Sequence, residues 1–181
     1  MTTKIFEDLK KELEIGLTEK DHPFRYCTLG TVGLDKMARL RTIVLRAINT
    51  NLKLTFFTDK RSKKIIHITE NNKVSVLFYH PEKRIQLKIE GIGTVIKDPK
   101  ILQDYWTTIP DHSKKEYTTS SAPGSIIKSN DEIEYLNEDN YFCIVNIEPH
   151  KIEYLKLDQQ NHIRVRFSLK NDTWKGEYLV P

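Results

Sequence analysis

The sequence has no apolar run long enough to cross a membrane; its hydrophobic residues, 38% of 181, are dispersed in short clusters. It has no internal repeat and no low-complexity tract, which excludes a solenoid and offers no point at which to divide the chain. One domain over residues 1–181, with a single well-buried core, is the expectation. Residues 1–19 lack the basic-then-apolar order of a secretion signal, because Lys4, Glu7, Asp8, Lys10 and Lys11 interrupt them, and a cytoplasmic location is expected. Cysteine is scarce. Cys27 and Cys143 each sit inside an apolar run with no Cys or His at metal-ligand spacing, so both read as buried core thiols and no metal site is expected. The net charge of +4 does not by itself call for nucleic acid.

What is present reads as strands with a few helices between them. Ile5, Leu9, Leu13 and Leu17, four apart, predict an amphipathic helix over 5–17. Phe24–Val32, Met37–Ile48 and Leu52–Thr58 are rich in β-branched and aromatic residues and are parted by short polar turns, as successive antiparallel strands are. Arg61–Thr69 predicts a helix capped by Asp59; Lys73–Tyr79 and Ile85–Ile96 predict two more strands, the second alternating dry and polar faces. A helix over Asp98–Thr108 is stopped by Pro110, and the polar stretch around Pro123–Gly124, from about 120 to 140, predicts a long loop of functional or mobile character. Strands at Tyr141–Ile147, Lys151–Leu157, Ile163–Leu169 and Thr173–Val180 close the chain. The pattern is mainly β, with α-helices added: an antiparallel barrel with short helices at its rim.

Three groups of residues carry candidate chemistry. Arg39, Arg41 and Arg46 lie in a strand otherwise fit for burial, where an unpaired guanidinium costs several kcal/mol, roughly, unless it reaches water or an anion. Arg39 and Arg41 share a face with Ile43 and Leu45, whereas Arg46 falls on the opposite face with Val44. Taken alone, the pattern leaves an anionic ligand and a solvated strand face equally open. Phe57 to Lys64 then runs from a strand end into a helix start, where backbone N–H groups, the Ser62 hydroxyl and several ammonium groups suit a phosphate. The segment lacks the glycine spacing of a nucleotide P-loop, which argues against nucleoside triphosphate chemistry. Hairpin-linked strands would bring Arg41 and Arg46 near Thr58, and the two clusters together favour a phosphate-bearing ligand. Gln86, on the polar face of its strand, offers both a donor and an acceptor to the edge of a heteroaromatic ring.

In that order and at those separations, Arg41 to Arg46, Thr58 with Ser62–Lys63–Lys64, and Gln86 in a strand reaching Gly91 resemble the pyridoxamine 5'-phosphate oxidase-like flavin proteins. Arg164-Val-Arg166-Phe167 and the closing segment Trp174 to Pro181 resemble that family's last two strands, so that the likeness runs from about residue 22 to the end. It implies a split β-barrel that binds FMN as a homodimer. Arg41, Thr42, Val44, Leu45 and Arg46 would line the cofactor, Thr58, Ser62, Lys63 and Lys64 would serve its phosphate and ribityl chain, and Gln86 would face the flavin. Ser120 or Ser121 would add a phosphate contact, and Arg166 would approach the ring from the partner subunit. Tyr105 and Ser113 match positions that hold the substrate, and His162 and Arg164 stand where the oxidases carry an Arg and a His near it.

The departures bear on substrate. Leu155 stands where the oxidases carry a Trp over the flavin, and Ile109 where they carry a phosphate-gripping Arg. The resemblance therefore implies an FMN-dependent oxidoreductase acting on a small molecule, with poor use of pyridoxamine 5'-phosphate. Hydride transfer through the flavin demands no acid and base pair, and no such pair stands out. A flavin-binding protein without its own organic substrate is the second reading. A nucleic-acid-binding barrel using Lys60 to Lys64 is the third; against it, Phe56, Phe57 and Tyr79 read as core rather than as a stacking platform.

Overall fold

The computed structural model describes residues 1–137 and 139–181. Eight antiparallel strands follow one another: β1 (Tyr26–Val32), β2 (Ala38–Ile48), β3 (Leu54–Asp59), β4 (Lys73–His80), β5 (Ile85–Ile96), β6 (Phe142–Lys156), β7 (Ile163–Lys170) and β8 (Thr173–Leu179). They are hydrogen-bonded in the order β3-β2-β1-β4-β5-β6-β7-β8. β6 is long enough to do two things. Its first half pairs with β3, Thr58 opposite Cys143, which closes six strands into a barrel, and its second half carries β7 and then β8 outward as a ribbon. This is the antiparallel split barrel that the sequence implies.

Alternation explains the closure. In β4 Val74, Val76, Phe78 and His80 are buried while Lys73, Ser75, Leu77 and Tyr79 face outward. Leu29, Leu45, Phe56, Leu87, Ile89 and Ile152 supply the matching inward faces of the other barrel strands. Helix α1 (Thr2–Thr18) seals one end with Leu9 and Leu13, and the ring of Phe6, packed on Phe167 and Trp174, ties it to the outer ribbon. Helix α2 (Lys63–Glu70) covers the other side of the barrel. It can dock closely because Gly93 lies beneath it, where a Cβ would stand 3.1 Å from Ile68. Cys27 and Cys143 are buried free thiols, and burial raises the pKa of both.

Several element boundaries differ from the sequence reading for local reasons. The two strands expected on either side of Pro149 are one, because Pro149 sits opposite Gly91 at a register shift and so is not asked for a ladder N–H. Gly91 permits the close approach: a Cβ there would come 2.5 Å from the Glu148 carbonyl oxygen. β3 starts two residues late, since Leu52 takes up a left-handed turn conformation at φ 61°. Pro23–Arg25 form a short helical turn ahead of β1. Asp59 does not cap α2; its carboxylate accepts from the Arg61 guanidinium instead, and the helix begins after Ser62. Helix α3 (Pro99–Thr108) is capped as its sequence suggests, the Asp98 carboxylate accepting from the N–H groups of Lys100 and Ile101.

Outside the barrel wall a second apolar cluster forms from Ile109, Tyr117, Phe142 and Ile144, with Phe57, Tyr105 and Trp106 packed against it. Phe56 is core, as expected, and Phe57 belongs to this second cluster, but Tyr79 is half exposed on the outer face. Among the described residues no helix is long and apolar enough to cross a membrane.

Candidate functional site

The end of β3 and the start of α2 make the first part of the site. Lys64, the second residue of the helix, folds back so that its ammonium donates to Thr58 Oγ1 at 2.8 Å and to Ser62 Oγ at 3.1 Å. The two hydroxyls lie 3.3 Å apart and both residues are buried. Ser62 caps no helix N–H with its side chain, so the first-turn donors of α2 point at the same place unclaimed by it. Lys63 faces solvent.

Arg41 supplies the second part. On the inward face of β2, opposite Leu29 of β1, it directs Nη1 to Thr31 Oγ1 (2.7 Å), the Arg39 carbonyl (3.0 Å) and the Leu29 carbonyl (3.3 Å). Burial lowers the pKa of Lys64, and the neighbouring Arg41 charge lowers it further. Asp59 offsets that in part, but its carboxylate is already bound by Arg61. Two cations thus stand together, half-buried, next to two hydroxyls and a helix N-terminus. Such a site is short of one anion, and a phosphate monoester fits its donor set.

The rest of β2 divides by face. Thr42 and Val44 look outward, while Leu45 is 2% exposed in the core, so its side chain cannot reach a ligand and only its backbone could line a cofactor. The pairing with β3 slips between Leu45 and Ala47, and the slip releases Arg46 from strict alternation. Its guanidinium lies 5.6 Å from the centre of the Phe57 ring. Tyr105 of α3 meets the same ring edge-on at 5.5 Å, and Arg46 also lies beside the buried Tyr117 hydroxyl. Ser113, in the single helical turn α4 (Asp111–Lys114), is half-buried nearby in the chain, whereas Ile109 is 7% exposed, inside the apolar cluster. Tyr105, Arg46 and Tyr117 are therefore gathered, and the Ile109 side chain is buried in the apolar cluster that Tyr117 belongs to and Tyr105 packs against.

Gln86 lies on the outer face of β5, directly across from Leu155 of β6, which is itself across from Arg164 of β7. Arg164 is engaged: its Nε and Nη2 both donate to Glu153 Oε1, at 3.2 and 2.7 Å. His162 is exposed and accepts from the Asp158 N–H through Nδ1, an interaction that shapes the β6–β7 turn. Arg166 donates to Glu177 on β8 at 2.7 Å, and its buried Nε has no partner. Thr42, Thr28, Leu77, Lys88, Glu153 and Arg166 form one row across six strands, with Thr42 on β2 and Arg166 on β7 at its two ends.

Ser120 is held by its backbone. Its N–H donates to the Glu134 carbonyl, and its own carbonyl accepts from Arg61, which also binds the Thr119 carbonyl and lies 3.2 Å from the centre of the Tyr141 ring. Arg61 lies inside the basic segment from Phe57 to Lys64, and the structure spends it on pinning the 118–122 segment against Asp59 and Tyr141. Thr31, His67 and Tyr117 were missed; the strand alternation in β1 and the one-turn offset from Lys64 in α2 were the signals that could have found the first two.

Glu12, His22 and His80 form the one group of three possible metal ligands among the described residues. Their hydrogen bonds point to a structural network instead. His22 Nδ1 accepts from the Phe24 N–H and His80 Nδ1 from the Lys83 N–H, so each neutral ring carries its proton on Nε2, and His22 Nε2 faces Glu12 at 3.2 Å. Metal binding through Nε2 would require the opposite tautomer.

Residues 6–97 match the family model described as the pyridoxamine 5'-phosphate oxidase FMN-binding domain. A pyridoxine/pyridoxamine 5'-phosphate oxidase of Aliarcobacter butzleri is 30% identical over 169 residues, covering 85% of this chain and 78% of that one. The enzyme of that name from Leptospira biflexa is 26% identical over 168 residues, with the same coverage. A pyridoxamine 5'-phosphate oxidase-related FMN-binding protein of Nostoc punctiforme superposes with a TM-score of 0.81 at 23% identity, covering 97% of this chain and 96% of that one.

Proposed function

Because the chain belongs to the pyridoxamine 5'-phosphate oxidase FMN-binding family and its cofactor is FMN, we propose that it is an FMN-dependent oxidoreductase acting on a small molecule. The observation that carries the reading is the paired charge of Arg41 and Lys64, which lack an anion and stand beside the Thr58 and Ser62 hydroxyls. In this reading Lys64 and Arg41 hold the FMN phosphate, with Thr58 and Ser62 as neutral partners. Thr42, Val44, the Leu45 backbone and Arg46 line the cofactor along β2. Lys63 serves it from the exposed helix start, Gln86 presents its amide to the ring edge, and Ser120 lies near the phosphate from its pinned loop.

Bound FMN supplies two-electron redox chemistry; the protein's part is orientation and charge. Arg46, with one face against Phe57, places a permanent cation beside the Phe57–Tyr105 pair, where an anionic substituent of a substrate would be held, with Ser113 as a further candidate contact. Arg166, paired with Glu177 through Nη2 but with its Nε unpartnered, is the residue offered across a two-fold axis to the partner's flavin, which makes a homodimer part of the reading. No membrane or nucleic-acid partner enters it.

A second reading, a flavin-binding protein with no organic substrate of its own, is favoured by one specific observation. Glu153 neutralises Arg164, and Ile109 is packed away, so two of the positions that grip substrate in the related oxidases offer no free cation here. Anaerobic mixing of the FMN-loaded protein with candidate amines, followed by admission of oxygen, separates the two. Flavin bleaching and recovery over many turnovers with a small amine supports the oxidoreductase. Bleaching only by a chemical reductant overturns it in favour of the carrier, and pyridoxamine 5'-phosphate is expected to be a poor donor in either case.

A further inference from the structure

Arg41 does not meet the phosphate site unaided. Its Nη1 donates to Thr31 Oγ1 at 2.7 Å, and the same oxygen lies 3.1 Å from His67 Nδ1. Thr31 is 3% exposed and His67 8%, so this chain from β2 through β1 to α2 is closed to solvent. The proton positions follow from use. With Arg41 donating to it, the Thr31 hydroxyl has one proton to give, and His67 Nδ1 is the acceptor in reach among the described residues. His67 is thereby set as the neutral ring with its proton on Nε2. Its pKa is lowered first by burial and then by the charges of Arg41, Arg39 and Lys63, with Asp35 offsetting them in part, which agrees with a neutral ring.

All three protein bonds of Arg41 use Nη1, while among the described residues Nε and Nη2 have no protein partner. A guanidinium held by one corner presents its other edge in a fixed direction, and that edge is the one suited to bidentate contact with an anion. We propose that Thr31 and His67 are positioning residues: a buried hydroxyl–imidazole brace that fixes the Arg41 guanidinium in its phosphate-binding orientation before FMN arrives. The inference rests on the reading of Arg41 and Lys64 as the phosphate grip. It adds that the orientation is built by two residues that do not touch the cofactor, which lowers the ordering cost of binding.

The test compares equilibrium binding of FMN and riboflavin to Thr31→Val, Thr31→Ser, His67→Leu and Arg41→Ala. Thr31→Val removes the hydroxyl at nearly constant shape. It should weaken FMN on the order of tenfold, the loss of one hydrogen bond to a charged group, and leave riboflavin affinity unchanged. Thr31→Ser should restore FMN binding to within about twofold of native, and adding His67→Leu to Thr31→Val should cost nothing further, since both act through one bond. Native FMN affinity in Thr31→Val, with Arg41→Ala weakened, would overturn the brace and leave the phosphate grip standing. Equal loss of FMN and riboflavin in Thr31→Val would assign the hydroxyl to the fold and overturn the brace as well. Native FMN affinity in Arg41→Ala would overturn both the grip and the brace.

Discussion

At the scale of single residues the site is a matter of which charges are spent. The structure sorts the basic residues in or near the candidate site by partner: Arg61 goes to Asp59 and the 118–122 segment, Arg164 to Glu153, Arg166 to Glu177, and Arg39 to Asp35. Arg41, Arg46 and Lys64 have no carboxylate at ion-pair distance among the described residues. Replacing Lys64 or Arg41 with Ala is therefore expected to weaken FMN binding by about 1.5–3 kcal/mol each, read by flavin fluorescence on titration. Ile109 gives the opposite lesson. Its place in the family pattern suggests that Ile109→Arg would restore a phosphate grip, but the side chain is buried among Tyr117, Phe142 and Ile144. The variant should lose about 3 kcal/mol of stability in a urea titration, because a guanidinium there is desolvated without a partner, and should gain no activity toward pyridoxamine 5'-phosphate. Composition and order made Arg41, Thr58, Lys64 and Gln86 legible as candidates. They could not show that Arg61 and Arg164 are consumed by neighbours far off in sequence, since that depends on tertiary pairing.

At the scale of elements, α2 and the end of β4 each hold a buried histidine in its neutral form. Burial lowers the pKa of His67 and of His80 below the ordinary 6.5, and Arg41 and Lys83, respectively, act in the same direction. The unfolded chain then binds more protons than the native one as pH falls below 6.5, so stability is complete above that value and is lost on acidification. Urea midpoints should fall between pH 7.5 and 5.5, roughly the span of the histidine titration, and His80→Gln should flatten part of that fall; a pH-independent midpoint would contradict it. The elements themselves were largely legible, because strict alternation in β4 and β5 and fourfold spacing in α1 survive into the fold. Where the reading slipped, a backbone detail intervened: a bulge at Gly91 that admits Pro149 into β6, and a left-handed Leu52 that delays β3.

At the scale of the whole molecule, the barrel's outer face is the unfinished part. Leu77, in the row that runs from Thr42 to Arg166, and Tyr26, Leu40 and Tyr79 are exposed on it. A two-fold partner laid on this face would cover those side chains and bring its Arg166 toward the flavin end of β2, and light scattering of the FMN-loaded protein should give the mass of two chains. A monomer at full FMN occupancy would contradict that arrangement. The central claim, that this family member holds FMN by its phosphate through Arg41 and Lys64, is tested most directly by titrating the native protein with FMN and with riboflavin under one set of conditions. Riboflavin should bind weaker by at least a hundredfold, about two charge-assisted hydrogen bonds at the low end of their range, and the gap should narrow as salt is raised. Equal affinity for the two flavins would contradict it.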